Sequence, residues 1–130
     1  MGQKRGSCVL VVSTDLDILR ALSHALALSD HAVTTARDLS EVAATPSGLP
    51  APVMLYDLKD LDRGEWEKLL DLRTAHPGLS VILLASLESA ELDRALAEGL
   101  IAGYQVKPVR LTALEECVAR VGAERKRATA

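Results

Sequence analysis

The chain has 130 residues, 48% of them hydrophobic and 25% charged, with a formal net charge of −3. That length favours one domain with a real core, and that balance excludes a disordered chain. The mild acidity gives no electrostatic reason to expect nucleic acid or an anionic membrane as partner.

In chain order, residues 1–7 read as a polar, flexible tail carrying Lys4-Arg5, with no signal-peptide core behind it. Cys8–Val12 is the first strand-sized apolar run. Asp15 and Asp17 follow it at the start of a helix, where carboxylates cap free N–H groups and favour the positive end of the dipole. Leu19, Leu22, Ala25 and Leu26 then recur at helical spacing. Ala32–Ala36 is a second run, and Asp38-Leu-Ser-Glu41 reads as a capping box opening a short second helix. Thr45-Pro-Ser-Gly-Leu-Pro-Ala-Pro52 is a loop by its prolines.

The third run is Val53–Tyr56, ending at Asp57. A helix over 65–75 carries Trp66, Leu69, Leu70 and Leu72 and stops at His76-Pro77-Gly78. Ser80–Ala85 is the fourth run. Leu92, Ala95 and Leu96 mark a fourth helix that Gly99 would cap. Gly103–Val106 is the fifth run, followed by Lys107-Pro108. Leu111, Leu114, Cys117, Val118 and Val121 define the last helix, with Thr112-Ala-Leu-Glu115 as its expected capping box. The fold is expected over 8–123, leaving 124–130, with Arg125-Lys126-Arg127, as a basic tail. Two cysteines, Cys8 and Cys117, are too few for a disulfide scaffold and suit free thiols in a reducing cytoplasm. No apolar run approaches membrane-spanning length.

Five strand–helix units in this order predict an α/β fold, a doubly wound parallel sheet with helices on both faces. Such sheets bind at the carboxyl ends of their strands, near the point where strand order reverses. The residues just past the runs are Ser13-Thr14-Asp15, Asp57, Ser86 and Lys107-Pro108. A lysine at the end of an interior strand is costly to bury unless a carboxylate answers it, and Asp57 is the natural partner. Pro108 directly after it suggests an X–Pro bond that sets the turn, with the cis form open to it.

Three stretches carry a resemblance over nearly the whole chain. They are Val9-Leu-Val-Val12 with Asp17-Ile18, Val53-Met-Leu-Tyr-Asp57-Leu, and Ala102-Gly-Tyr104-Gln-Val-Lys107-Pro108. On them the chain resembles the receiver domain of bacterial two-component response regulators. The resemblance implies a flavodoxin-like sheet of order 2-1-3-4-5 and a cytoplasmic, non-enzymatic signalling module. It makes Asp57 the phosphoacceptor for a histidine kinase or phosphotransfer protein, and Lys107 the contact to the phosphoryl group. It implies switch residues at Ala85 and Tyr104 and an output domain or partner protein downstream in the pathway. It also implies a homodimer through the fourth helix, fifth strand and fifth helix. The chain would be free-standing or part of a larger regulator.

The departures from the family are equally specific. Ser13 and Thr14 stand where the family has an acidic pair that holds Mg2+, and a hydroxyl is a poor substitute for a carboxylate there. The remaining metal donors would be Asp57, Asp15 after a backbone shift, and the Lys59 carbonyl, whose own cation opposes a metal. Leu61 stands where the family commonly has proline. Ala85 replaces the switch hydroxyl, and Ser86, one residue on, faces the other side of the sheet.

Two readings follow: an atypical receiver acting chiefly as a protein-interaction module, or an ordinary Mg2+-dependent receiver completed by Asp15 or water. A remote third is a haloacid-dehalogenase-like phosphatase, suggested by Asp15-Leu-Asp17, although no further acidic pair supports it. His24, His31 and His76 lie away from strand ends, so a hydrolytic triad has no support. Tyr104 would be half-buried whether or not it switches, and Trp66 is expected in helix packing.

Overall fold

The computed structural model describes residues 8–43, 53–58, 63–76, 78–86 and 89–129. The tail over 1–7, most of the proline-rich loop, Lys59, Leu61 and Pro77 lie outside the described residues. The strands are β1 (Cys8–Val12), β2 (Ala32–Ala36), β3 (Val53–Asp57), β4 (Ser80–Ala85) and β5 (Gly103–Val106). The helices are α1 (Leu16–Leu28), α2 (Leu39–Ala43), α3 (Arg63–Ala75), α4 (Ala90–Ala97) and α5 (Leu111–Thr129). All strand pairs are parallel, in the order β2-β1-β3-β4-β5.

Alternate residues of the three central strands face opposite layers, as the period of a strand demands. Leu10, Val12, Met54, Tyr56, Val81, Leu83 and Ala85 pack under α2, α3 and α4, with Trp66 half-buried against them. Val9, Val11, Val53, Leu55, Ile82 and Leu84 pack under α1 and α5. Coverage on both faces is why these strands read as unbroken apolar runs. The rule fails at the edge: β2 pairs only with β1, and its Thr34 and Thr35 are exposed.

Helix ends explain much of the chain direction. The α2 box forms, with Asp38 accepting the Glu41 N–H at 2.8 Å; Glu41 reaches back to the N–H of Arg37 rather than of Asp38. After α4, Gly99 adopts φ +78, with Leu100 N–H on the Ala95 carbonyl and Gly99 N–H on that of Leu96. That is a Schellman end, as the glycine predicts. The same pair of bonds closes α1, but there the left-handed residue is Asp30, φ 69.

Two expectations are corrected on α5. The helix opens at Leu111, so Thr112 lies inside its first turn and cannot cap it; Glu115 instead accepts the Ser29 hydroxyl at 2.6 Å, tying α5 to the end of α1. The helix also runs to Thr129, through the residues expected to form a tail, since neither Gly122 nor the charged run that follows interrupts it. Among the described residues, no helix is long and apolar enough to cross a membrane.

Candidate functional site

The carboxyl ends of β1, β3 and β5 bring Ser13, Asp57 and Lys107 together. Asp57 ends β3, a strand buried at every position, and its side chain is only 1% exposed. Such a charge must be answered locally. Both of its oxygens are. Lys107 Nζ, on a side chain 27% exposed, forms an ion pair with Oδ1. Ser13 donates its hydroxyl to Oδ2 at 2.8 Å.

Each partner is fixed by its own element. The Ser13 N–H donates to the Ala36 carbonyl of β2, and its Oγ accepts the Asp15 N–H at 3.0 Å. The N–H of Lys107 donates to the carbonyl of Ala85 at 2.8 Å, extending the β4–β5 ladder, and the Lys107-Pro108 bond is cis. From the end of β5 the lysine side chain reaches past β4 to Asp57 on β3.

Thr14 is exposed. Asp15 is the N-cap of α1: its Oδ1 accepts the N–H groups of Asp17 and Ile18, at 3.0 and 3.3 Å. The expected capping role of Asp15 is thus formed. Lys59, whose carbonyl was a candidate metal donor, lies outside the described residues. Ala85 is buried and Ser86 exposed, as the strand alternation requires. Tyr104 is half-buried against the α2–α4 layer, with its hydroxyl on Asp93 of α4 at 2.5 Å.

Among the described residues, the donors around Asp57 are a poor set for a magnesium ion. Magnesium favours charged oxygen ligands in a near-octahedral set. Here the buried Asp57 carboxylate meets one ammonium and one hydroxyl, and among the described residues no group of three His, Cys, Asp or Glu side chains converges.

One contact beside the site carried no sequence signal. Tyr56, adjacent to Asp57, sends its hydroxyl to Glu65 in the first turn of α3. Burial, then the Glu65 hydrogen bond and charge, push the phenol well above its ordinary value of 10.0. Tyr56 therefore stays a neutral donor and anchors α3 over the end of β3.

No family model matches the chain, and no curated protein matches it either. Solved structures do. A response regulator receiver domain protein from Methanospirillum hungatei superposes with a TM-score of 0.81 at 23% identity, over 95% of this chain and 98% of that one. The chain has the receiver fold. A pilus assembly-related protein from Burkholderia pseudomallei also gives a TM-score of 0.81, at 21% identity, covering 95% and 94% of the two chains. The chemotaxis protein CheY4 of Vibrio cholerae gives 0.76 at 23% identity, covering 89% and 98%. Asp57 ends the central strand β3, and Lys107 directly follows the last strand, β5.

Proposed function

We propose that the chain is a receiver-type signalling domain that works as a protein-interaction module, with Asp57 held in one state by Ser13 and Lys107 instead of cycling with phosphate. The observation that carries this reading is the 2.8 Å bond from Ser13 to Asp57. In phosphoryl transfer a metal bridges acceptor and phosphoryl oxygens and offsets developing charge. In this chain the hydroxyl that replaces the metal's carboxylate satisfies Asp57 directly, and the ammonium of Lys107 neutralises it. A carboxylate with one lone-pair region bonded to a hydroxyl, the other in an ion pair, and almost no exposed surface is a poor nucleophile.

The output side fits the same reading. Ala85 offers no hydroxyl to report a phosphoryl group, and the Tyr104–Asp93 bond fastens β5 to α4. The face formed by α4, β5 and α5 presents Leu96 and Leu111, both more than 40% exposed. This is the surface proposed to meet a second copy or a partner protein. Two of the structural neighbours are described as pilus assembly proteins rather than as regulators, which agrees with a receiver fold used for assembly.

The ordinary-receiver alternative needs Asp15 to turn away from the helix it caps, and the phosphatase alternative needs it as a nucleophile facing Asp57. Neither has a supporting contact. Incubation with magnesium and acetyl phosphate, followed by intact-mass measurement, is expected to leave the mass unchanged. A phosphoryl increment that disappears in Asp57→Asn would overturn the proposal.

A further inference from the structure

A cavity of about 260 Å³ opens above Asp57, reaching from Ser13 and Thr14 to the ends of β2 and β3 and the first turns of α3. It lies where the strand order reverses between β1 and β3, the crevice in which open α/β sheets bind ligands. Its charges are unequally answered. Of the carboxylates that line it among the described residues, Asp57 is held by Ser13 and Lys107, Asp38 caps α2 through the Glu41 N–H, and Glu65 takes the Tyr56 hydroxyl. Its cations among the described residues are Arg37 and Lys68. Among the described residues, neither side chain makes an ion pair or hydrogen bond.

We infer that this crevice binds a small oxyanion-bearing molecule, a phosphate ester or carboxylate, non-covalently between Arg37 and Lys68. A guanidinium fork and a mobile ammonium are the two side chains best suited to such an anion. Neither occupies a position that the phosphorylation chemistry of the receiver resemblance uses. Thr14 and Ser40, exposed on the same lining, supply hydroxyls. The space of about 260 Å³ leaves room for a small metabolite. Both cations are exposed, so the affinity is modest and weakens with salt. The inference rests on the metal-free reading in one respect: a metal held on Asp57 would share the crevice.

The test is a titration of the ¹⁵N-labelled protein with inorganic phosphate and with glycerol phosphate, with sodium chloride at matched ionic strength as control. Saturable amide shifts at Thr14, Arg37 and Lys68, in the millimolar range, are expected with the oxyanions and not with chloride. Arg37→Gln and Lys68→Gln should each weaken binding by about fivefold, what an exposed charge pair supplies. Arg94→Gln, on α4, should leave it unchanged. Succinate in a parallel series distinguishes a carboxylate ligand from a phosphate ester. Shifts equal to those in chloride, or undiminished in both variants, would overturn the inference. Phosphorylation of Asp57 would show instead as added mass, which sinks the preceding proposal and leaves this titration to stand or fall alone.

Discussion

Ser13 and Asp57, 44 residues apart in sequence, share a 2.8 Å hydrogen bond in which a hydroxyl stands against the central carboxylate of a receiver fold. A hydrogen bond to a charged, buried acceptor contributes more than a neutral one. Ser13→Ala should therefore cost about 1.5–3 kcal/mol in denaturant unfolding. Ser13→Asp should cost at least as much in EDTA, because two carboxylates then adjoin, and regain part of it in about 10 mM magnesium. A Ser13→Asp variant indifferent to magnesium would mean that the charge at this position does not face Asp57.

Lys107 answers the other oxygen of the same carboxylate. Removing one partner of a buried pair leaves an unpaired charge, at about 3–5 kcal/mol for a fully desolvated pair and less here because the lysine is 27% exposed. Lys107→Met is expected to destabilise by roughly 2–4 kcal/mol. Adding Asp57→Asn should recover most of that, since the loss comes from the stranded charge. Additive losses in the double variant would refute this account.

Gly103 meets α5 closely: a Cβ there would lie 3.1 Å from the Cys117 sulfur. Gly103→Ala must push that side chain aside, at about 1–3 kcal/mol by the usual cost of overpacking. Cys117→Ala makes room, so the double variant should be more stable than the two single losses predict. Thermal unfolding of the four proteins measures the coupling.

Asp30 holds the left-handed position that ends α1. Glycine adopts that conformation without the Cβ penalty, and the Schellman bonds to Ala27 and Leu26 use only backbone. Asp30→Gly is expected to stabilise by about 0.5–1 kcal/mol, or a few degrees in Tm.

The phenol of Tyr56 is held protonated by burial and by Glu65. In the unfolded chain it ionises near its ordinary value of 10.0, so above that pH the unfolded state binds fewer protons than the native one. The stability that this phenol contributes is present below pH 10 and is lost as pH rises beyond it. The stability of the native chain relative to Tyr56→Phe should accordingly be flat from pH 8 to 9.5 and fall above about 10. A difference that stays flat to pH 11 would show that Tyr56 is not buried.

Sequence reasoning reached the sheet because β1, β3 and β4 are covered on both faces, which leaves an unbroken apolar run as their imprint. It reached Asp57 and Lys107 because a charge at the end of such a run demands a partner. It treated Ser13 only as a missing carboxylate. That a hydroxyl would bond to Asp57 depends on where β2 places its backbone, through the Ser13–Ala36 contact. The Tyr56–Glu65 bond was hidden because a tyrosine inside an apolar run reads as core. Arg37 and Lys68 gave no signal, since exposed cations are ordinary on any surface. On α5 the reading went astray where local pattern competed with tertiary contact: Glu115 serves Ser29 of another helix, not its own first turn.

The convergence on Asp57 also has a kinetic side. Its two partners come from just after the first strand and just after the last, so the full triad exists only when distant parts of the chain have already been aligned. Contacts of such long sequence separation are expected to close after the transition state, which already buries most of the surface that the native state buries. Substitutions at Ser13 or Lys107 should then leave the refolding arm of a chevron nearly unchanged and appear almost entirely as faster unfolding. The carboxylate would thus act as a clasp that governs how long the native state lasts more than how quickly it is reached.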